Sequence, residues 1–184
     1  MENLTELKSR LFDAYLHLPE APDWHDFQGL IAAALPCEMD PSLPQILFKG
    51  TPDLALLELN RHIDKKIFES FDQNLLESMK THEKVQATLE KKIRFFSDHL
   101  PKTLSILKYG RHPFRASLLL RMQGETVTSI WYFAGDTASD FNYYSKRFLL
   151  GSIYRATFIY WLKRMDNGLF IPDLLKVWEI LKSY

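Results

Sequence analysis

Few side chains in this sequence have the types and spacing that catalysis or metal binding requires. Glu58 and His62 are four residues apart and would share one face of a helix, where a carboxylate and an imidazole could bind a metal ion. A metal site needs three or four ligands, and no second carboxylate–histidine pair matches this one. We therefore interpret Glu58 and His62 as a solvated salt bridge within one helix, and we predict no metal.

Three further side chains could act as general acids. Asp136, Ser139 and Asp140 lie just before a long helical pattern, where Ser139 or Asp140 is also suited to cap the helix. We favour capping, with Asp140 also available to a partner. Cys37 has no cation near it in sequence, so we expect a small buried side chain rather than a reactive thiolate. These patterns predict no catalytic residue and no cofactor.

The long helical pattern from Phe141 to Met165 is apolar nearly all round, which predicts a central helix. Its aromatic side chains, with those just upstream, indicate either dense packing or an elongated apolar cavity for a lipid or isoprenoid. In the cavity hypothesis, Lys146 and Arg147 meet a head group at its mouth. The lipid-binding residues are then Trp131, Lys146, Arg147, Phe148 and Tyr154.

The elements that must position these residues are helices. Val127–Phe133 is rich in strand-forming residues, but it has no second strand to pair with, so we predict helix there as well. The pattern predicts an all-α bundle of nine or ten helices. They cover 4–18, 23–35 (capped by Asp23), a short helix ending near 48, 51–80 with a break at 72–74, a helix ending at Pro101, 113–122 ended by Gly124, 127–133, 141–165 and 172–184.

The composition is that of one globular domain. The chain has 184 residues, of which 46% are hydrophobic and 25% charged, and its 23 basic and 23 acidic residues give no net charge. This balance argues against an obligate nucleic-acid binder. We predict a single domain, 1–184, with a helix-turn-helix-like part at 1–50, a lipid-binding core at 51–168 and an amphipathic helix at 169–184.

Charge is distributed unevenly along the chain. The segment 20–48, which would carry a DNA-recognition helix, has five acidic residues and no Lys or Arg, so it is unsuited to DNA. The segment 80–115 has nine Lys or Arg and three acidic residues. It is either a solvated face or a surface for anionic lipid or an acidic partner.

The last predicted helix places Leu174, Leu175, Trp178 and Leu181 on one apolar stripe. Such a stripe suits a core helix or a helix lying on a membrane surface. No apolar run is long enough to span a bilayer, and the first residues do not resemble a secretory signal. We expect a bacterial cytoplasmic protein that is peripheral on the inner membrane.

A longer pattern carries a family resemblance. The run Ala134–Arg147, reading AGDTASDFNYYSKR, together with 149–150 (LL), 153–157 (IYRAT) and the upstream 130–132 (IWY), resembles the signature of the ubiquinone-biosynthesis accessory protein family, coenzyme Q protein nine. Weaker similarity extends over residues 5–184. The family usually has Trp at the position of Tyr143.

The resemblance implies a fold similar to TetR-type regulators without DNA binding, and a homodimer attached to membranes through its last helix. It implies binding of phospholipid and prenylated quinone intermediates, which are passed to the demethoxyubiquinone hydroxylase. Asp140, Asn142, Tyr143 and Tyr144 would face that enzyme, and Lys146 and Arg147 would contact the lipid head group.

Two other hypotheses remain beside the accessory protein. One is a TetR-like transcriptional regulator with an apolar effector pocket, which the cation-free segment 20–48 disfavours. The other is an enzyme that acts on a lipid, for which the sequence offers no acid–nucleophile pair.

Overall fold

The computed structural model describes residues 3–20, 22–136 and 141–166 and, of residues 141, 142, 165 and 166, the backbone alone. These ranges are helical with no strand, which confirms the predicted all-α class for the described part and is consistent with a TetR-like bundle. The predicted helix at 172–184 lies outside the described residues. The α-helices are α1 (Leu4–His17), α2 (Gln28–Ala34), α3 (Leu43–Leu47), α4 (Pro52–Glu69), α5 (Gln73–Ser78), α6 (Thr81–Asp98), α7 (Leu100–Gly110), α8 (Ala116–Phe133) and α9 (Phe141–Asp166).

The chain forms two compact units. The first contains the described residues of Met1–Ser70 with Phe95–Thr126, and the second contains Phe71–Arg94 with the described residues from Val127 onward. The single-domain division given above stays a prediction.

The core of the first unit forms around the apolar face of α1. Leu11, Phe12 and Tyr15 are buried at helical spacing. Phe12 stacks on Phe48, with ring centroids 5.5 Å apart. The indole N–H of buried Trp24 donates to the Tyr15 hydroxyl at 3.0 Å, so the polar atoms in this core are satisfied.

Glu58 and His62 do not form the predicted solvated pair. Glu58 accepts a 2.7 Å hydrogen bond from Lys8, and His62 Nε2 lies 2.7 Å from Asp13. Both partners are on α1, so contacts between helices take the place of a bond within α4. The prediction of a buried Cys37 is also wrong, since this side chain is half-exposed.

The helix predicted from Asp23 begins later. A 3₁₀ turn at His25–Phe27 comes first, and Asp26 and Phe27 have φ values of +52° and +61°. These left-handed conformations interrupt regular α-helix, so α2 starts only at Gln28. The Asp23 side chain instead accepts a hydrogen bond at 3.2 Å from the backbone N–H of His25, the first residue of the 3₁₀ turn.

The boundaries around α7 and α8 also differ from the prediction. Pro101 ends α6 as expected, but it also lies in the first turn of α7, which the sequence analysis did not assign. Gly124 does not end a helix, because α8 runs unbroken from Ala116 to Phe133. The ambiguous segment 127–133 is helical, as predicted.

In the second unit, α9 buries a stripe of four side chains, Leu150, Tyr154, Thr157 and Trp161. Their spacing of four, three and four residues defines one helix face. The rings of Phe71 and Phe133 lie 5.2 Å apart, and Lys91 Nζ lies 4.0 Å from the Phe71 ring centroid. These contacts hold the C-terminal end of α8 within the unit.

Candidate functional site

The site begins where α8 ends. Gly135 has φ +86°, a conformation that favours glycine, and its N–H donates to the Tyr132 carbonyl at 3.0 Å. The N–H of Asp136 donates to the Trp131 carbonyl at 2.9 Å. This pair of bonds is a Schellman motif, which fixes the Asp136 backbone against the last turn of α8.

The carboxylate of Asp136 accepts a hydrogen bond from Lys146, which lies in the second turn of α9. Lys146 Nζ lies 2.8 Å from Asp136 Oδ1, and Arg147 Nη1 lies 3.7 Å from Oδ2. The Trp131 indole N–H donates to the Lys146 carbonyl at 3.3 Å, which adds a second connection between the two helices. Among the described residues, two cations therefore lie against one buried carboxylate.

The guanidinium of Arg147 lies among aromatic rings. Its Cζ is 3.3 Å from the centroid of the Tyr143 ring and 5.4 Å from that of Tyr132. Its Nη1 donates to the Tyr143 carbonyl at 3.1 Å. A hydrogen bond with the Tyr132 hydroxyl raises the pKa of Tyr143, so the Tyr143 phenol stays neutral at physiological pH.

Arg147 has donors left for another acceptor. Its side chain is 10% exposed, and its Nε and Nη2 are buried without a hydrogen-bond partner among the residues that the structure describes. A buried donor without an acceptor is costly. A phosphate, carboxylate or carbonyl oxygen that reached this edge of the guanidinium would remove that cost.

Large apolar side chains are exposed next to Arg147. Phe148 is 79% exposed, and Tyr144 and Leu149 are exposed as well. An exposed apolar group beside a cation suits an amphiphile or an apolar partner surface. The exposure of these side chains differs from the prediction that α9 is a central helix, because the face of α9 that carries them is not buried.

The five predicted lipid-binding residues do not all lie together. Trp131, Lys146 and Arg147 meet around Asp136. Phe148 lies on the exposed face of α9, whereas Tyr154 is buried on the opposite stripe, where its ring lies 6.3 Å from that of Phe158. The first three residues form the centre of the site, and their role in lipid binding stays a prediction.

Of the predicted partner-facing residues, Tyr143 and Tyr144 lie in the first turn of α9, with their rings 5.1 Å apart in an edge-on arrangement. Asp140 and the side chain of Asn142 lie outside the described residues. So do all four predicted membrane-contacting residues, Leu174, Leu175, Trp178 and Leu181.

The sequence analysis missed two members of the site. Asp136 was predicted only as a loop residue or a possible general acid, and Tyr132 was given no role of its own. An acid directly after a glycine turn and ten residues before a Lys-Arg pair is the signal that could have indicated the ion pairs. The contact of the Tyr132 ring with Arg147 depends on how α8 and α9 pack together, which the local sequence pattern does not specify.

Two kinds of feature are absent from the described residues. In 3–20, 22–136 and 141–166, no group of three or more His, Cys, Asp or Glu side chains is placed to hold a metal ion. Over the same ranges, no helix has the length and apolar character to cross a membrane.

Comparison with known proteins places this site in a family context. Residues 116–170 match the COQ9 family model, and this range holds α8, α9 and every residue of the site. The human "Ubiquinone biosynthesis protein COQ9, mitochondrial" is 26% identical over 99% of this chain and 57% of its own length. The rat protein of the same name is 32% identical over 58% of this chain and 33% of its own length.

The chain therefore spans a little over half of the human protein and a third of the rat protein in these matches. The family match at 116–170 and the human and rat relatives confirm the predicted resemblance to the COQ9 family.

Proposed function

We propose that this protein is an accessory factor of ubiquinone biosynthesis. In this proposal it binds phospholipid and prenylated quinone intermediates at a membrane and presents them to the demethoxyubiquinone hydroxylase. One observation carries the proposal: the family match at 116–170 coincides with the cluster of Asp136, Lys146 and Arg147 among aromatic rings.

The chemistry of Arg147 supports lipid binding. A head-group phosphate or a quinone carbonyl could accept hydrogen bonds from Nε and Nη2, which have no acceptor among the described residues. The exposed rings of Tyr144 and Phe148 offer apolar surface beside the guanidinium for the first units of a prenyl tail. A polar head and an apolar tail would thus be bound on one turn of α9.

Presentation to the hydroxylase would use the start of the same helix. Tyr144 is 71% exposed, and tyrosine is enriched at protein interfaces because its ring is apolar and its hydroxyl is polar. With Asp140, Asn142 and Tyr143 it would form the surface that faces the enzyme. The accessory factor would supply substrate, and the chemical step would take place in the hydroxylase.

Attachment to the membrane, dimer formation and location belong to the proposal as well. The stripe of Leu174, Leu175, Trp178 and Leu181 would lie on the bilayer surface, and two copies would bind more firmly than one. The relatives named above are mitochondrial proteins by name. For this chain we propose a location on the cytoplasmic face of a bacterial inner membrane.

A regulator with the same fold would need a DNA-binding face, and two observations on the described residues disfavour it. Helix α3 spans only Leu43–Leu47, and the segment 20–48 carries no Lys or Arg. Phosphate contacts would therefore be missing where a recognition helix should lie.

The function is tested in cells that lack their own copy of the gene. We expect demethoxyubiquinone to accumulate in these cells, and the full chain to restore ubiquinone. Tyr144→Ala should fail to restore it and should fail to capture the hydroxylase, although it should fold normally. The matched control is Tyr160→Ala, a substitution on α9 away from the site. Normal ubiquinone levels without the gene would contradict the proposal.

A further inference from the structure

The turn between α7 and α8, in the first unit, exposes an aromatic side chain to an unusual degree. Phe114 is 89% exposed in the 3₁₀ turn Pro113–Arg115, and the three residues before it, Arg111, His112 and Pro113, are exposed as well. We call residues 111–114 the apex. Burial of such a ring in an apolar environment would be favourable.

The base of the apex is held firmly. Tyr109 is buried and donates to Asp53 Oδ1 at 2.6 Å, and the guanidinium of Arg115 lies 4.0 Å from the Tyr109 ring. Burial raises the pKa of Tyr109, and the bond to Asp53 adds to this effect, so the phenol remains a donor. The fixed base keeps Phe114 projecting from the turn.

The two helices also approach closely below the turn. A side chain at Gly110 would meet the Leu119 side chain at 2.7 Å, so only glycine fits there without a shift. The tight contact joins the end of α7 to the first turns of α8. The apex is thus a short, supported projection.

The charge around the apex is positive. From His99 to Gly124 the chain has five Lys or Arg residues and no Asp or Glu. Acids from elsewhere pair with three of these cations, namely Lys108 with Asp23 at 3.4 Å, Arg115 with Asp53 at 3.6 Å and Arg121 with Glu125 at 3.1 Å. Of the other two cations, Lys102 is buried and donates to the Leu18 carbonyl at 2.6 Å, whereas Arg111 is exposed at the apex itself.

We propose that the apex is a second membrane contact, in which Phe114 enters the interface of an anionic phospholipid bilayer and Arg111 binds head-group phosphates. An exposed ring with an adjacent exposed arginine fits a flat, negatively charged surface with an apolar interior. An acidic protein would match the charge, but a convex apex gives it no groove to occupy. The inference is independent of the ubiquinone role and of the predicted helix at 172–184.

The first test reports on residue 114 alone. The full chain with Cys37→Ser and Phe114→Cys is labelled at the new thiol with an environment-sensitive fluorophore and mixed with vesicles of phosphatidylcholine and phosphatidylglycerol. We expect a blue shift and quenching by brominated lipid, both much weaker with phosphatidylcholine alone. If the protein sediments with the vesicles while the label stays in water, the apex proposal is wrong, whereas membrane attachment through the last helix stands.

The second test uses unlabelled variants. Phe114→Ser should lower the partition coefficient onto the mixed vesicles about tenfold, since a partly inserted ring is lost. Its control is Ile46→Ser, which removes a side chain that is 69% exposed on α3 in the cation-free segment. An unchanged partition coefficient for Phe114→Ser, or an equal loss for both variants, would overturn the apex proposal.

Discussion

The guanidinium carbon of Arg147 lies 3.3 Å from the centre of the Tyr143 ring, while Nη1 of the same group donates to the Tyr143 carbonyl at 3.1 Å. One residue thus orients the arginine through both its ring and its backbone. The planar group is fixed with its remaining N–H groups at one edge. This pre-organisation lowers the entropy cost of binding an anionic or carbonyl oxygen there.

The first prediction concerns Arg147 and separates the effect of its planar guanidinium from the effect of its positive charge. Arg147→Lys keeps a positive charge beside Asp136. It removes the guanidinium that lies on the Tyr143 ring, together with the Nε and Nη2 donors. We expect binding of a short-chain phospholipid, measured by calorimetry, to weaken about tenfold, the usual effect of losing one charge-assisted hydrogen bond. The melting temperature should fall only slightly.

The matched control for this prediction is Arg94→Lys, which changes an exposed arginine on α6. Equal affinities of Arg147→Lys and the unsubstituted protein would show that the guanidinium geometry has no part in binding.

The second prediction compares Gly124, which lies inside α8, with Gly135, which follows its C-terminal end. Gly135→Ala should destabilise the protein by about 1–2 kcal/mol, because φ at this position is +86° and alanine is strained there. Gly124→Ala should stabilise it by about 0.5–1 kcal/mol, since this glycine is exposed within the helix and nothing lies within 4 Å of the added methyl. Denaturant unfolding measures both, and changes of the same sign would contradict the helix boundaries described here.

The third prediction is a pH dependence of stability. Burial alone would raise the pKa of Asp13, but hydrogen bonds and charges from Lys66 and His62 outweigh it and lower the pKa below its usual value. The ionised form therefore stabilises the fold above about pH 4, and this contribution is lost as the pH falls through the lowered pKa.

Asp13→Asn should accordingly reduce the free energy of unfolding at pH 7 by about 0.5–1 kcal/mol, since the carboxylate is 38% exposed and its ion pairs are partly screened. The difference from the unsubstituted protein should shrink as the pH falls below about 4 and through the lowered pKa of Asp13. Glu69→Gln, which removes an exposed pair with Lys65, is the control and should change little at either pH. A difference for Asp13→Asn that does not depend on pH would refute the ion-pair explanation.

Local pattern predicted much of the fold. The apolar spacing along α1 predicted a helix whose end lies within one residue of the observed end at His17, and the predicted helix end at 133 is where α8 ends. The start of α2 was placed wrongly because the left-handed backbone at Asp26 and Phe27 involves no glycine that would reveal it. Gly124 was taken for a helix end because its tolerance inside α8 depends on flanking residues that favour helix.

The site was partly predictable for a similar reason. The cations at 146 and 147 and the aromatic ring at 131 were found by type and by family resemblance. The acid that joins them, Asp136, could not be assigned, because its contacts depend on how the Schellman turn directs the chain toward α9. The exposure of Phe148 depends on which face of α9 packs within the unit, and a helix that is apolar nearly all round does not indicate that face.

The most direct test of the proposed function is native mass spectrometry, with lipid extraction, of the full chain purified from membranes. The proposal predicts about one phospholipid or prenylquinone per protomer, and lower occupancy for Arg147→Lys than for Arg94→Lys. A protein that carries no lipid and binds no added quinone would contradict the account, and the regulator hypothesis would then be tested by DNA binding.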